Sequence, residues 1–313
     1  MTGNLPLVVI LGPTAIGKTA LAIQLARAFD GEILGADSRQ IYRLMDIGTA
    51  KPTSDQQRQI PHHLIDVVNP DETMGLAQYQ QAAYAAVDAI HRRGHMPLLV
   101  GGTGQYLTAV IEGWSIPEVP PNDPLREELE AFAADKGSEA LHHRLSAVDP
   151  AAAANIHHHN VRRVVRALEV FLATGQPISE LQRKNPPPYV IMQYGLMMER
   201  DRLYARADQR LEQMMRQGFL DEVRSLLDRG YSRGLPSMSG LGYAQLATHL
   251  LDDVPLENAL EMTRTATHDF IRRQLTWFRG HDSGIRWLDV DTLDPAELVT
   301  STRYWLESVS CAS

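Results

Sequence analysis

LPLVVILGPTAIGKT, residues 5–19, passes from an apolar run into a glycine-bounded turn and then to a lysine and a threonine. A short continuous apolar run that ends at glycine fits a strand buried on both faces of a parallel sheet. Gly12-Pro13-Thr14-Ala15-Ile16-Gly17-Lys18-Thr19 satisfies GxxxxGK[ST] in full, with a predicted strand before it and a predicted helix, 18–29, after it. Glycines let the backbone curl so that successive N–H groups point at one anion. The helix N-terminus adds a favourable dipole. Lys18 supplies a positive point charge to terminal phosphates, and the Thr19 hydroxyl is placed to ligate Mg²⁺. The turn predicts a phosphate-ester ligand but leaves the reaction open, because kinases, NTPases and other transferases share it.

Outward from this turn, 32–36 (EILGA) and 97–100 (PLLV) read as further buried strands. Residues 76–93 read as an amphipathic helix with Ala82, Ala83, Ala86, Val87 and Ile90 inside. Strands alternating with helices predict a parallel sheet with crossover helices. The prolines of IPEVPPNDP (116–124) mark a hinge. From there to about 184 the pattern is only helical: 125–135, 138–147 and 160–174, the last closed by Gly175 and Pro177. After Pro186–Pro188, residues 189–197 (YVIMQYGLM) read as a strand returning to the sheet, and helices follow at 200–229, 240–251 and 256–279. The expected fold class is α/β: a P-loop NTPase-like parallel sheet flanked by helices (1–116 and 189–313) with an all-helical insertion (117–188).

Composition narrows the setting. At about 150 residues per domain, 313 residues suggest two domains, and 44% apolar residues suffice for a sizeable core. Cys311 is the only cysteine, so an internal disulfide or a CxxC metal site is excluded and a reducing, cytoplasmic location is expected. No run approaches about 18 consecutive apolar residues, and no basic leader precedes the first strand, so no membrane partner is expected. No coiled-coil heptads appear, and nothing points to an obligate protein partner. The net charge of −8, taken alone, disfavours nucleic acid. Lysine, however, is confined to Lys18, Lys51, Lys136 and Lys184, and arginines cluster at Arg162, Arg163 and Arg166 and again at Arg272, Arg273 and Arg279. Read alone, each cluster is also what a solvated helix face looks like. His157-His158-His159 reads as a polar helix start, since consecutive helical residues diverge by about 100° and do not converge on one ion.

The second predicted strand ends in Ala36-Asp37-Ser38-Arg39-Gln40, which sets Asp37 at the carboxyl edge of the sheet, where ligands of open α/β sheets bind. An aspartate there has three uses: Mg²⁺ ligand, base or helix cap. The wider segments ADSRQIYRLMDIGTAKP (36–52), PHHLIDVVNP (61–70) and RGHMPLLVGGTGQY (93–106) join GPTAIGKT in a restricted set. With RALEV (166–170), GLGYAQL (240–246) and RRQLTWFRG (272–280), this set resembles the bacterial tRNA dimethylallyltransferases, also called tRNA isopentenyltransferases, over nearly the whole chain.

The resemblance implies an enzyme that moves a dimethylallyl group from its diphosphate to N6 of the adenosine 3′-adjacent to the anticodon, with Mg²⁺ as cofactor and the tRNA anticodon loop and dimethylallyl diphosphate as partners. It implies that Gly12 to Thr19 hold the donor diphosphate, Thr19 the metal, and Arg210, in YARADQRL, a further positive charge on the diphosphate. Arg206, one helical turn earlier, is placed to share that work. Asp37 becomes the general base, since an aspartate ordinarily titrates near ~3.9 and is ionised at neutral pH. Thr103 lines the same reaction point, and its flanking glycines permit close backbone approach. An adenine stacked in a loop cannot react, so the base must be extruded. By the same resemblance, Asp37, Ser38, Arg39, Gln40, Thr103, Arg126, Arg162, Arg163, Arg166, Ser239, Gly240, Leu241, Gly242, Tyr243, Arg272, Arg273, Gln274, Trp277 and Arg279 contact tRNA. Relatives often carry arginine at Ser239 and arginine or lysine at Ala244, so phosphate contacts are weakened there; Gln105 and Met74-Gly75 also depart from the pattern. A small-molecule kinase and a non-catalytic tRNA-binding module are the competing readings.

Overall fold

The structure, a computed structural model, describes residues 5–281 and 284–311. Residues up to Ile111 and from Pro188 onward form one compact unit, and Glu112–Pro187 form another.

The first unit is built on a six-stranded parallel sheet. Its strands are β1 (Leu5–Leu11), β2 (Gly31–Ala36), β3 (His62–His63), β4 (Met96–Gly101), β5 (Tyr189–Met197) and β6 (Ile285–Asp289), in the order β3-β2-β4-β1-β5-β6. The LPLVVIL run is β1, at the centre. Val8 and Ile10 face one apolar layer, with Leu21, Leu25 and Leu298; Leu7, Val9 and Leu11 face the other, with Tyr79, Val87 and Leu107. Burial on both sides explains why β1 shows no alternation in sequence. The helices that cover these faces in the first half of the chain are α1 (Lys18–Ala28), α3 (Leu76–Arg92) and α4 (Gly104–Glu112), while the short α2 (Ser54–Gln59) buries no residue.

The chain returns through β5 into α10 (Arg200–Arg216), α11 (Phe219–Asp228), α12 (Tyr243–Leu251), α13 (Leu256–Gly280) and α14 (Pro295–Cys311). The expected single helix 200–229 is interrupted, because Gly218 adopts φ 97 and separates α10 from α11. The helix expected from 240 starts only at Tyr243, after Gly242 at φ 81. Helix α14 escapes sequence reading because its core face includes a hydroxyl residue: Thr302 is fully buried and bonds the Tyr194 hydroxyl at 2.7 Å.

Strand register positions the site. Leu11 and Ala36 both align with Gly101, so β1, β2 and β4 end flush. The three loops that follow them emerge side by side at the carboxyl edge. Strands β4, β2 and β3 lie on one side of β1 and β5 and β6 on the other, so the crevice at a change of winding direction falls at the end of β1. A Cβ on Gly101 would lie 2.0 Å from the Ala36 carbonyl oxygen, so this edge has no room for a side chain.

Residues 41–68 are held by one buried lysine and one half-buried glutamate, each with several partners. Lys51 Nζ donates to the Tyr42 carbonyl at 2.8 Å and pairs with Asp46 at 2.5 Å and Asp66 at 2.6 Å. The Glu222 carboxylate of α11 accepts the amides of Asp46, Ile47 and Gly48 at 2.9, 2.8 and 3.1 Å.

The second unit comprises α5 (Asp123–Lys136), α6 (Ser138–Val148), α7 (Pro150–Asn155), α8 (Val161–Thr174) and α9 (Ile178–Leu181), packed around Leu141, Leu145, Val164 and Leu168. Gly175, at φ 72, closes α8 as a left-handed cap. Glu169 is fully buried in α8 and accepts from the Asn122 amide at 2.8 Å, both nitrogens of the Arg126 fork at 2.8 and 2.9 Å, and Arg166 at 2.6 Å. Burial alone would raise its carboxyl pKa, but Arg126, the Asn122 amide and Arg166 more than offset this and hold it below the usual range. His157-His158-His159 precede α8 in a turn, not on a helix, so helical divergence does not separate them; their ring nitrogens lie within 4.8 Å of one another.

Gly101→Ala forces β2 and β4 apart, and urea unfolding should show a loss of about 1–3 kcal/mol, as for other overpacked cores. Glu169→Gln sets an NH2 donor against guanidinium donors, so two of the four bonds are lost along with the charge, and it should cost about 3 kcal/mol at pH 7. A depressed carboxyl contributes stability above its unfolded value near ~4.3 and loses it as pH falls through the folded value. The Glu169→Gln deficit should therefore shrink in urea titrations run progressively below that pH.

Candidate active site

The loop after β1 follows from its glycines. Gly12 and Gly17 take φ 148 and 108, and Ala15 also lies in the left-handed region at φ 63. The chain curls over the start of α1, whose first turn has no acidic residue and whose cap offers no side-chain acceptor. The exposed amides at that helix start are those a phosphate takes up. Lys18 Nζ points back into the loop and donates to the carbonyls of Gly12 at 3.0 Å and Pro13 at 2.7 Å. Burial draws the Lys18 pKa down to about 8; Asp37 pulls it up and Arg210 pushes it further down. Thr19 lines a small cavity with Gln40, His62 and Val100.

The loop after β2 begins at half-buried Asp37. One of its carboxylate oxygens, Oδ1, accepts the Arg39 amide at 2.8 Å. The loop after β4 is tied to it: Thr103 Oγ1 accepts the Ser38 amide at 2.9 Å, and the Thr103 amide donates to the Ala36 carbonyl at 3.1 Å. Beneath lie Tyr79 and Tyr106, stacked with centroids 3.7 Å apart. Burial first, then Tyr42 and Asp37, push the Tyr106 phenol up to about 12, so it stays neutral.

Helix α10 supplies the remaining charge. Leu203, Ala207 and Leu211 face the core, which leaves Arg206 and Arg210 on an adjacent stripe. Burial lowers the Arg210 pKa, Asp37 raises it and Arg206 lowers it, which places Asp37, Lys18, Arg206 and Arg210 in one electrostatic neighbourhood. An Arg206 guanidinium nitrogen lies 3.3 Å from where a Cβ on Gly17 would stand, so Arg206 also borders the phosphate turn.

The residues expected to contact tRNA divide into two groups. Arg162, Arg163, Arg272, Arg273, Arg279 and Ser239 are exposed, as that role requires. Leu241 is half-buried. Others are committed to internal partners. Tyr243 is buried and donates to Glu222 at 2.5 Å; Gly240 and Gly242 are buried beside it. Gln40 donates to the carbonyls of Thr49 and Ala50 at 3.1 and 3.2 Å. Arg126 and Arg166 brace Glu169. Arg39 donates to the Pro236 carbonyl at 2.6 Å and to Ser239 Oγ at 3.1 Å, pinning the Asp37 loop to that segment. The Trp277 indole donates to Thr108 Oγ1 at 3.2 Å and lies so close to Gly104 that a Cβ there would be 2.2 Å away. Gln274 is only 6% exposed and bonds two loops of the site. The polar atoms of Gln274 and Tyr243 face inward, onto Thr14 and Gly102 and onto Glu222. The structural parts of Glu169, Glu222 and Gln274 were missed in sequence. The one available signal was a charged or amide residue at a core-facing helical position.

Residues 40–281 match the family model described as IPP transferase. The tRNA dimethylallyltransferase of Roseiflexus castenholzii is 56% identical over 275 residues, covering 88% of this chain and 90% of that protein. That of Roseiflexus sp. (strain RS-1) is 50% identical over 305 residues, covering 97% and 100%. The crystal structure of tRNA isopentenylpyrophosphate transferase from Bacillus halodurans is similar with TM-score 0.71 at 40% identity, covering 97% of this chain and 96% of that one. A eukaryotic dimethylallyltransferase, studied acting on tRNA, is similar with TM-score 0.84 at 26% identity, covering 97% and 80%. On the extent of the family match and the closeness of these relatives over nearly the full length, the chain belongs to the IPP transferase family.

Proposed function

We propose that the chain transfers a dimethylallyl group from dimethylallyl diphosphate to N6 of the adenosine 3′-adjacent to the anticodon of a tRNA, releasing pyrophosphate. One observation carries the reading: a single carboxylate, Asp37, shares its electrostatic surroundings with Lys18 and Arg210 at the mouth of the phosphate turn. Positive charge for a leaving anion and a base for an incoming amine stand side by side.

The allylic C–O bond breaks and its electron pair leaves on pyrophosphate. The loop amides, Lys18 and Arg210 are aimed at that growing charge, which is the main electrostatic lever available to such a site. The N6 lone pair forms the new C–N bond, and the N6 proton passes to Asp37. The Arg39 amide bond holds Asp37 through Oδ1, which leaves Oδ2 for the amine. Thr103, bonded to the Ser38 amide, fixes the wall on which the base rests. Arg162 and Arg163 of the helical unit and Arg272, Arg273 and Arg279 of α13 supply exposed charge for anticodon-loop phosphates. Mg²⁺ fits the donor chemistry here, since the Thr19 hydroxyl is an oxygen ligand of the kind it takes alongside substrate phosphates. When bound it would neutralise pyrophosphate charge. Among the described residues no helix is long and apolar enough to cross a membrane.

The test is mass spectrometry of tRNA nucleosides after incubation with the purified chain, donor and Mg²⁺. Dimethylallyl-adenosine is expected; phosphoryl transfer from ATP without prenylation, or tRNA binding without alteration, contradicts the reading. Asp37→Asn should lower kcat by about 10²–10⁴, the range of general-base catalysis, with tRNA affinity nearly unchanged in filter binding. A lysine is charged below its pKa, so the cradle keeps its charge up to about pH 8 and loses it above. The donor kcat/KM should fall on an alkaline limb that begins near this pH, and Lys18→Arg should displace that limb upward.

A further inference from the structure

Gln274 belongs to the arginine-bearing stretch of α13 but faces the other way. Ile271, Gln274 and Phe278 point into the protein, while Arg272, Arg273 and Arg279 are exposed. Its carboxamide makes two bonds of opposite sense. Oε1 accepts the Thr14 amide of the phosphate turn at 2.9 Å, and Nε2 donates to the Gly102 carbonyl, next to Thr103, at 2.8 Å. An amide N–H can only donate and a carbonyl can only accept, so the two partners fix the orientation of the carboxamide. The gap it fills is tight: a Cβ on Gly102 would stand 2.5 Å from Nε2, 3.3 Å from the Gly12 carbonyl oxygen and 3.5 Å from Lys18 Nζ.

We propose that Gln274 is a positioning residue that sets the separation between the diphosphate cradle and the Thr103–Ser38 wall of the acceptor base. The inference rests on the transferase reading above. Two substrates must meet at near-attack distance, and an error of an ångström in their relative placement costs rate far more than binding. The bridge is the side-chain link between the loop that holds one substrate and the loop that lines the other. It is carried by the helix whose opposite face offers arginines to the tRNA, so correct seating of α13 and correct spacing of the two loops are the same condition.

Two variants separate this role from simple packing. Gln274→Met keeps the volume and loses both bonds. Gln274→Glu keeps the acceptor for Thr14 but turns an oxygen toward the Gly102 carbonyl. A protonated Glu regains a donor; burial favours that form, while the Lys18 ammonium bordering the same gap favours the charged one, so the donor returns only toward low pH. Steady-state prenylation of a full-length tRNA should show kcat lowered about 10- to 100-fold in Gln274→Met, with tRNA affinity within about twofold of wild type. The activity of Gln274→Glu, as a ratio to wild type at each pH, should climb as pH falls from about 8 to about 5.5, whereas Gln274→Met should show no such recovery. Unchanged kcat in both variants overturns the proposal, as does a loss of tRNA affinity matching the loss of kcat, or a Gln274→Glu ratio that does not vary with pH. A wild-type chain that forms no prenylated nucleoside defeats the transferase reading and, with it, this inference; a wild-type chain that works beside equally active variants defeats the inference alone.

Discussion

Hydrogen-bond register between β1, β2 and β4 is the constraint on which the site depends. Because Leu11, Gly101 and Ala36 are level, the phosphate turn, the Asp37 loop and the Thr103 loop leave the sheet at one height. The contact between Gly101 and the Ala36 carbonyl permits no side chain, and a Cβ on Gly102 would stand 2.5 Å from Gln274 Nε2. The loops then lock to one another by short polar bonds: Thr103 to the Ser38 amide, and Gln274 to both Thr14 and Gly102. A one-residue slip of β4 would move Thr103 off Ser38 and exchange which residues of the strand face each apolar layer.

Charge is treated differently at the site than elsewhere. Away from it, buried ions have full sets of partners. Lys51 has Asp46 and Asp66, Glu169 has Arg126 and Arg166, and Glu32 has Arg93 and His63. At the mouth of β1, Lys18 and Arg210 share Asp37, and Arg206 stands beside Arg210. Crowding cations around one carboxylate is unfavourable in isolation. It is what a binding site for a polyanion requires, and it reconciles a chain of net charge −8 with anionic substrates.

Much of this was legible in the residues themselves. The GxxxxGK[ST] turn and the fully apolar β1 placed the phosphate cradle, and the position of Asp37 at a strand end placed the carboxylate beside it. What escaped was whatever depends on which way a side chain turns. Gln274 sits among exposed arginines in sequence yet points inward, because a helical step of about 100° reverses the outlook of close neighbours. Tyr243 and the Arg126–Glu169–Arg166 group likewise look like surface chemistry in one dimension and are internal braces in three. Helix breaks at Gly218 and Gly242 were missed because glycine within a long periodic run is ambiguous until its φ is seen.

The central claim is that one carboxylate and one phosphate cradle act on the same pair of reacting atoms. A crystal structure of the chain with an anticodon stem-loop and a non-reactive thio analogue of the prenyl diphosphate tests it most directly. The account requires the diphosphate on the amides around Lys18 and the extruded adenine N6 within hydrogen-bond reach of Asp37 Oδ2. A diphosphate bound away from Lys18, or an adenine amine that faces some other group, would contradict it.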